Sequence, residues 1–467
     1  MRILDRAILF LLMVGWVAVG LVVDPYCAVP FRDEKHSIFL VVSGLLGVTA
    51  ALALFTRGVS RKLLRTIWSL VPLGGLFIWR TLESLRDPGA LGAIEPGLPA
   101  RTDYLLRIVA PLIGGMLAWI ASSELTLTGR RVRALGVVAL GLLSVEVVGA
   151  VCEVVGSFLG HDWRPFFFGA TLSEARGGLK AALFGSIGNP NFLASYLALL
   201  ILPVLVFGWS HQGRVGVRAL SVAAAILAIA LVVMSRSKGA LLALAGASLL
   251  TLLIGRGRAG RREPGPRPPV SRWLVAGGLL IVVVAVSAGV SSVSSGSHRE
   301  SYIESWGKSL RLRGESASQR VLLAYVGSRM WEETRWAGVG PGEFRLRFLP
   351  ELAEALSEEG EALSARVAKL KSLRPVHVHN DYLELLIEWG LLGYASGVGF
   401  LALAFASALR ALGKSSGEAH RFRLGLLGAA LAAALYALLE FPVHLPTHLI
   451  LAASFLGLAC ARGEESE

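Results

Sequence analysis

The chain has 467 residues, 54% of them hydrophobic and only 17% charged, a composition far from that of a soluble globular domain. Its net charge of +13 does not mark a nucleic-acid binder. Arg and Lys stand in short gaps between apolar blocks rather than on one soluble face, which is the footprint of membrane orientation. The three cysteines, Cys27, Cys152 and Cys460, have neither metal-ligand spacing nor a disulfide framework.

The apolar blocks run to about 18 to 22 residues, enough to cross roughly 30 Å of hydrocarbon as helix. Barrel strands would alternate apolar and polar residues instead, over about ten residues. The expected fold is therefore all-α, a polytopic transmembrane bundle of about twelve helices with one large helical loop outside the membrane. Spans are expected near 7–23, 37–55, 66–82, 104–125, 134–158, 191–209, 219–235, 238–254, 273–290, 384–409, 424–440 and 447–461. The basic start and long apolar run of MRILDRAILFLLMVGWVAVGLVV resemble a signal peptide. The run lacks a small-x-small cleavage site, so it is read as a retained first helix.

Orientation follows from alternate gaps. One set holds Arg57, Arg61, Lys62 and Arg65; Arg130, Arg131 and Arg133; and Arg214 and Arg218. It continues with a Pro/Gly-rich linker near 255–272 that carries Arg256, Arg258, Arg261, Arg262, Arg267 and Arg272, and with Arg410, Lys414, Arg421 and Arg423. Positive charge marks the cytoplasmic side, so both termini are expected there. The chain then divides into four parts. Residues 1–190 hold the first helices and a first outer loop, 191–290 the central helices, 291–383 the large outer loop, and 384–467 the last helices and a short tail. The large loop carries two helical patterns, about Ser318–Thr334 and Glu351–Leu373, with the breaker GVGPGEF (Gly338–Phe344) between them.

The chemistry-bearing residues gather in the segments placed outside. In HNDYLELLIEWGLLG, His379 and Asn380 stand at a helix start, where Asn or Asp can cap the helix. Gly390 and Gly393 follow, spaced to let another helix approach closely. SRSKGALLAL puts Arg236 and Lys238 on the outer lip of the bilayer, against the positive-inside tendency. Charge so placed suggests an anionic partner, though a snorkelling helix end reads the same way. Arg320 begins the first loop helix and can face the same mouth, with Arg329 and Arg335 as alternatives; each alone is an ordinary surface arginine. Asn189 and Asn191 in GSIGNPNFLASYL, and His444 in EFPVHLPTH, complete the supporting set. His444 and His448 have no second cluster at ligand spacing, so no metal is expected. Glu146 and Glu153, seven apart inside a span, are the best argument for a transporter.

The order of GNPNFLASYL, SRSKGALLAL, Arg320, GVGPGEF, HNDYLELLIEWGLLG and EFPVHLP resembles the O-antigen ligase and polymerase superfamily, membrane glycosyltransferases that use undecaprenyl-pyrophosphate-linked glycans. Its hallmark is His, then Asn, Ser or Gln, then nine residues and Gly-x-x-Gly. His379, Asn380, Gly390 and Gly393 match it. Its earlier basic motif is matched by Lys238 with Leu242, and Arg236 stands where many relatives carry an arginine. The first five spans carry no matching motif.

The resemblance implies Arg236, Lys238 and Arg320 on the lipid pyrophosphate, and His379 as the base for an acceptor hydroxyl in an inverting displacement that needs no cofactor. The chain has no Asp-x-Asp pair, so nothing suggests a metal-bound nucleotide sugar. Lipid A-core is the favoured acceptor. A polymerase extending a second lipid-linked glycan is the alternative, and a transporter or flippase is the reading from another class. A transporter of this size would carry repeat symmetry between its halves, and none is visible.

Overall fold

The computed structural model describes residues 2–22, 33–58, 61–72, 74–76, 78–79, 110–159, 183–210, 215–259, 315–359, 367 and 377–463. Along them run α1 (Arg2–Leu21), α2 (Asp33–Arg57), α3 (Arg61–Trp68), α4 (Ala110–Glu124) and α5 (Gly129–Leu159). Then come α6 (Pro190–Ser210), α7 (Val215–Met234), α8 (Lys238–Ala259), α9 (Glu315–Glu333) and α10 (Glu343–Glu359). The chain closes with α11 (Asp381–Lys414), α12 (Gly417–Tyr436) and α13 (Pro446–Cys460). A two-residue parallel pairing joins Thr126–Leu127 to Arg462–Gly463.

Seven of these helices are long and apolar enough to cross a membrane: α1, α2, α5, α6, α7, α8 and α11. The chain is a multi-pass membrane protein. α13 is apolar but shorter, at 15 residues. The span expected near 273–290 lies outside the described residues, as do parts of those near 66–82 and 104–125. Each of the other expected spans falls on a helix, although those near 424–440 and 447–461 fall on α12 and α13, which are not among the seven.

The bundle packs around α6, whose neighbours include α12, α7, α5 and α8; α4 packs against α13 and α2. Small residues set the spacing. A Cβ on Gly457 of α13 would fall 2.6 Å from the Trp119 carbonyl oxygen of α4, so only glycine lets those helices meet. At one end of the bundle the basic residues are paired: Asp5 takes both Arg57 and Arg131, and Glu124 takes Arg462 at 2.7 Å.

At the other end sits a second, smaller core. Leu322, Leu323, Val326 and Met330 of α9 pack with Phe344, Phe348, Leu352 and Ala355 of α10, and with Val378 and Ile387 at the start of α11. α10 begins eight residues before the expected Glu351 and contains Pro350 within its run. The proline reads in sequence as a boundary. The apolar face Phe344, Phe348, Leu352, Ala355 nevertheless continues through it at helical spacing and carries the helix. The expected continuation to Leu373 falls outside the described residues except at Val367.

Candidate functional site

The site lies where the smaller core meets the bundle. Asn380 caps α11, its side-chain oxygen accepting from the Tyr382 and Leu383 amides at 3.1 and 3.0 Å. The cap fixes the turn before it, and His379 there takes φ +59°, a left-handed backbone that a side chain of its size rarely adopts. The α11 start is tied to α12 by Asp381 N–H to the Ala437 carbonyl, 2.8 Å, and by Tyr382 Oη–H to the Ala434 carbonyl, 3.1 Å.

These ties bring His379 to the end of α12. Its Nδ1 lies 2.7 Å from Glu440 Oε2, and the other Glu440 oxygen pairs with Arg320 at the start of α9. Phe441 stands edge-on against the His379 ring at 5.1 Å. Of the three arginines considered on α9 and the turn after it, Arg320 is the one at this mouth. Arg329 instead pairs with Glu358 at 2.8 Å, and Arg335 lies over the Trp331 ring.

The α7–α8 turn joins the same neighbourhood. Ser235 and Ser237 are buried and hydrogen-bond the turn, Ser237 Oγ accepting from the Ala240 amide at 3.4 Å. Arg236 between them is exposed, and its φ is +57°. Among the described residues, Arg236 and His379 are the non-glycine residues with positive φ. Strain of this kind persists only where the surroundings over-determine it, and it gathers at functional positions. Gly239 lets the start of α8 approach Tyr436 of α12, to which an added Cβ would come within 3.2 Å. Lys238 is in electrostatic reach of Arg320.

The glycines of the hallmark do something other than expected. Gly390 breaks α11, with φ +63° and ψ −169°. What approaches there is the GVGPGEF turn and the residues before it, not another helix. A Cβ on Gly390 would sit 2.4 Å from the Trp336 carbonyl, and one on Gly338 would sit 2.4 Å from that of Glu388. The freed amides and carbonyls at the break are answered across this contact. Val339 and Gly340 amides donate to Ile387 and Glu388 carbonyls at 3.0 and 2.9 Å, and the Leu391 amide donates to Arg335 at 2.8 Å. Two backbones so close leave no room for a side chain, which corrects the helix-packing role read for Gly390. Gly393 is buried.

Asn189 Oδ1 accepts from the Asn191 amide at 2.9 Å, and the Asn191 carbonyl accepts from Tyr436 Oη at 3.3 Å. Both asparagines therefore shape the start of α6. His448 is buried between α6 and α13, with Nε2 2.7 Å from Ser195 Oγ. Glu146 and Glu153 hold the turn before α6. Glu153 Oε2 accepts from the Phe184 and Gly185 amides at 2.9 and 3.0 Å, and Glu146 takes the Ser186 amide and hydroxyl. Buried Lys35 donates to the Gly20 and Ser186 carbonyls at 2.6 and 2.7 Å. These carboxylates pin the turn before α6, which gives them a structural role.

Sequence reasoning missed Glu440, His377 and Glu384. Glu384 Oε1 lies 2.8 Å from His377 Nδ1 and 3.1 Å from His444 Nε2. Burial lowers the His377 pKa below its ordinary value, although Glu384 opposes this. Burial would do the same to His444, but its contact with Glu384, reinforced by Asp381, raises it to about 9. In the sequence His444 and His448 have no second cluster at ligand spacing beside them. The structure turns His448 into the bundle and gives His444 different neighbours.

Residues 223–398 match the family model described as O-antigen ligase. The match covers that segment, less than half of the chain. The family is of glycosyltransferase type, and the matched residues take in Arg236, Lys238, Arg320, His379, Asn380, Gly390 and Gly393. Glu440 and His444 lie beyond the matched segment, after α12 and in the turn before α13. No curated protein matches the chain.

Proposed function

We propose that this protein transfers a glycan from undecaprenyl pyrophosphate to a hydroxyl of lipid A-core, at a site facing the periplasm with both termini in the cytoplasm. The observation that carries the reading is one carboxylate, Glu440, held between His379 and Arg320. It couples a proton acceptor to a cation, and Lys238 is within electrostatic reach of that cation. The alternation of Arg and Lys among the gaps supports the orientation.

The residues then divide the work. Arg320, Lys238 and Arg236 bind the pyrophosphate and stabilise the negative charge that grows on it as the glycosidic bond breaks. Glu440 accepts from His379 Nδ1–H, which leaves Nε2 with its lone pair for the acceptor. The acceptor oxygen attacks the anomeric carbon from the face opposite the pyrophosphate. The C–O bond to phosphate breaks with its electron pair, and the acceptor proton passes to His379 Nε2. One displacement inverts the anomeric centre and forms no glycosyl-enzyme intermediate. The cationic side chains meet the leaving group, so the step draws on no divalent ion.

The test is transfer by the purified protein in nanodiscs, offered a polyprenyl-pyrophosphate glycan with lipid A-core and a second lipid-linked glycan as competing acceptors. Glycosylated lipid A-core is the expected product. A lengthened lipid-linked glycan would make the protein a polymerase, and transfer to neither would overturn the proposal.

A further inference from the structure

Beside the His379–Glu440 pair, and separate from it, three potential metal ligands converge, His377, Glu384 and His444, with Asp381 next to His444. The ligand atoms of His377, Glu384 and His444 all lie within 4.8 Å of one another. Both carboxylates are oriented alike. Glu384 Oε2 accepts from the Val378 amide at 2.8 Å, and Asp381 Oδ2 from the Val443 amide at 3.0 Å. Each thereby turns its second oxygen toward the histidines. Glu384 Oε1 is 2.8 Å from His377 Nδ1 and 3.1 Å from His444 Nε2, and Asp381 Oδ1 is 3.6 Å from His444 Nε2. Backbone hydrogen bonds that fix one carboxylate oxygen and free the other are the usual outer support of metal ligands.

The second observation is Asp381 Oδ1 itself. The Asp381 side chain is only 9% exposed, yet this oxygen is buried with no hydrogen-bond partner. His444 Nε2 at 3.6 Å is too far for a hydrogen bond, so hydrogen bonds alone satisfy Glu384 and leave that oxygen with only a longer ionic contact in a buried site. A cation among the four ligands answers it.

We propose that His377, Asp381, Glu384 and His444 bind a divalent transition-metal ion, Zn2+ by choice of ligands, which clasps the His379 loop to the turn after Glu440. Metal–ligand bonds of about 2.0–2.2 Å at tetrahedral angles put ligand atoms roughly 3.3–3.5 Å apart. The separations of 2.8, 3.1 and 3.6 Å bracket that range. Two imidazoles with two carboxylates favour Zn2+ over Mg2+ or Ca2+, which take oxygen ligands. With Asp381 drawn in from its place beside His444 as the fourth ligand, the coordination shell closes, so the ion is structural and takes no part in the displacement. Phe441 covers it, stacked on the His377 ring at 4.5 Å.

The test uses the full chain in nanodiscs, purified without a polyhistidine tag, stripped with a strong chelator and titrated with Zn2+. Saturable uptake of about one ion per chain is expected, with a rise in melting temperature as the ion binds the folded state. Co2+ in its place should give the intense visible absorption of a tetrahedral site. His444→Gln keeps an amide able to hydrogen-bond Glu384 but offers a poor ligand, and should weaken Zn2+ binding at least tenfold. Should that variant not fold, the Co2+ spectrum and the Zn2+ titration of the wild type decide alone. No saturable uptake by the wild type, or unchanged uptake by a folded His444→Gln, would leave a hydrogen-bonded cluster and overturn the proposal. Metal content is read without any glycan substrate, so its outcome is independent of the transfer assay.

Discussion

His379 Nδ1 lies 2.7 Å from Glu440 Oε2 across 61 residues of sequence, and the same carboxylate holds Arg320 with its other oxygen. Replacing Glu440 should therefore disturb proton transfer and charge placement together. Glu440→Gln keeps an acceptor oxygen but loses the charge. We expect kcat to fall by tenfold or more, short of the roughly 10²–10⁴-fold that general acid–base catalysis contributes, with a smaller change in KM. A loss confined to KM, at unchanged kcat, would contradict a positioning role on His379.

The break in α11 predicts an asymmetry between glycines of one helix. Gly390→Ala meets the Trp336 carbonyl at 2.4 Å and must hold φ +63°, whereas an added Cβ on Gly399 meets nothing within 4 Å. Gly390→Ala should destabilise by about 2 kcal/mol or more. Gly399→Ala should be neutral or slightly stabilising, as expected of alanine in a helix. Thermal unfolding in detergent compares them, and equal melting temperatures would contradict the backbone contact.

Glu153 gives a prediction that separates structure from transport. Glu153→Gln weakens two amide contacts at the Phe184–Gly185 turn. Hydrogen bonds to a charged group contribute about 1.5–3 kcal/mol, so the melting temperature should fall while folded protein keeps its transfer activity. Abolished transfer at an unchanged melting temperature would restore a direct role for this carboxylate.

Stability of the α9–α10 layer should depend on Glu351. Burial first, then Glu333 and Glu354, raises its carboxyl above the ordinary value, although Arg329 and Arg347 oppose this. The fold thus favours the protonated form, and its stability is lost as pH rises through the unfolded pKa toward the folded one. Glu351→Gln should raise the melting temperature at pH 7.5 and do little at pH 4. A gain of equal size at both would contradict the assignment.

Much of this architecture is legible in the sequence, because length and hydropathy of a span are local properties. Local capping chemistry likewise marks Asn380, and the resemblance singles out Arg236, Lys238, Arg320 and His379. Glu440 is not legible in this way. Nothing near it distinguishes a helix-end glutamate from any other, and its meaning arises only when α12 meets α11 and α9. Gly390 fails for another reason: a glycine spaced for helix packing and one that breaks a helix look alike until the crossing chain is seen. His377, Asp381 and Glu384 likewise read as ordinary helix-start residues until the Pro442–His444 turn brings His444 among them.

The central claim is that His379 removes the acceptor's proton while the cations hold the donor, and His379→Ala tests it most directly. Donor binding to the variant would be measured beside single-turnover transfer to lipid A-core. The account predicts binding within a fewfold of wild type and transfer lower by about 10²–10⁴. A folded variant that transfers at the wild-type rate would contradict it.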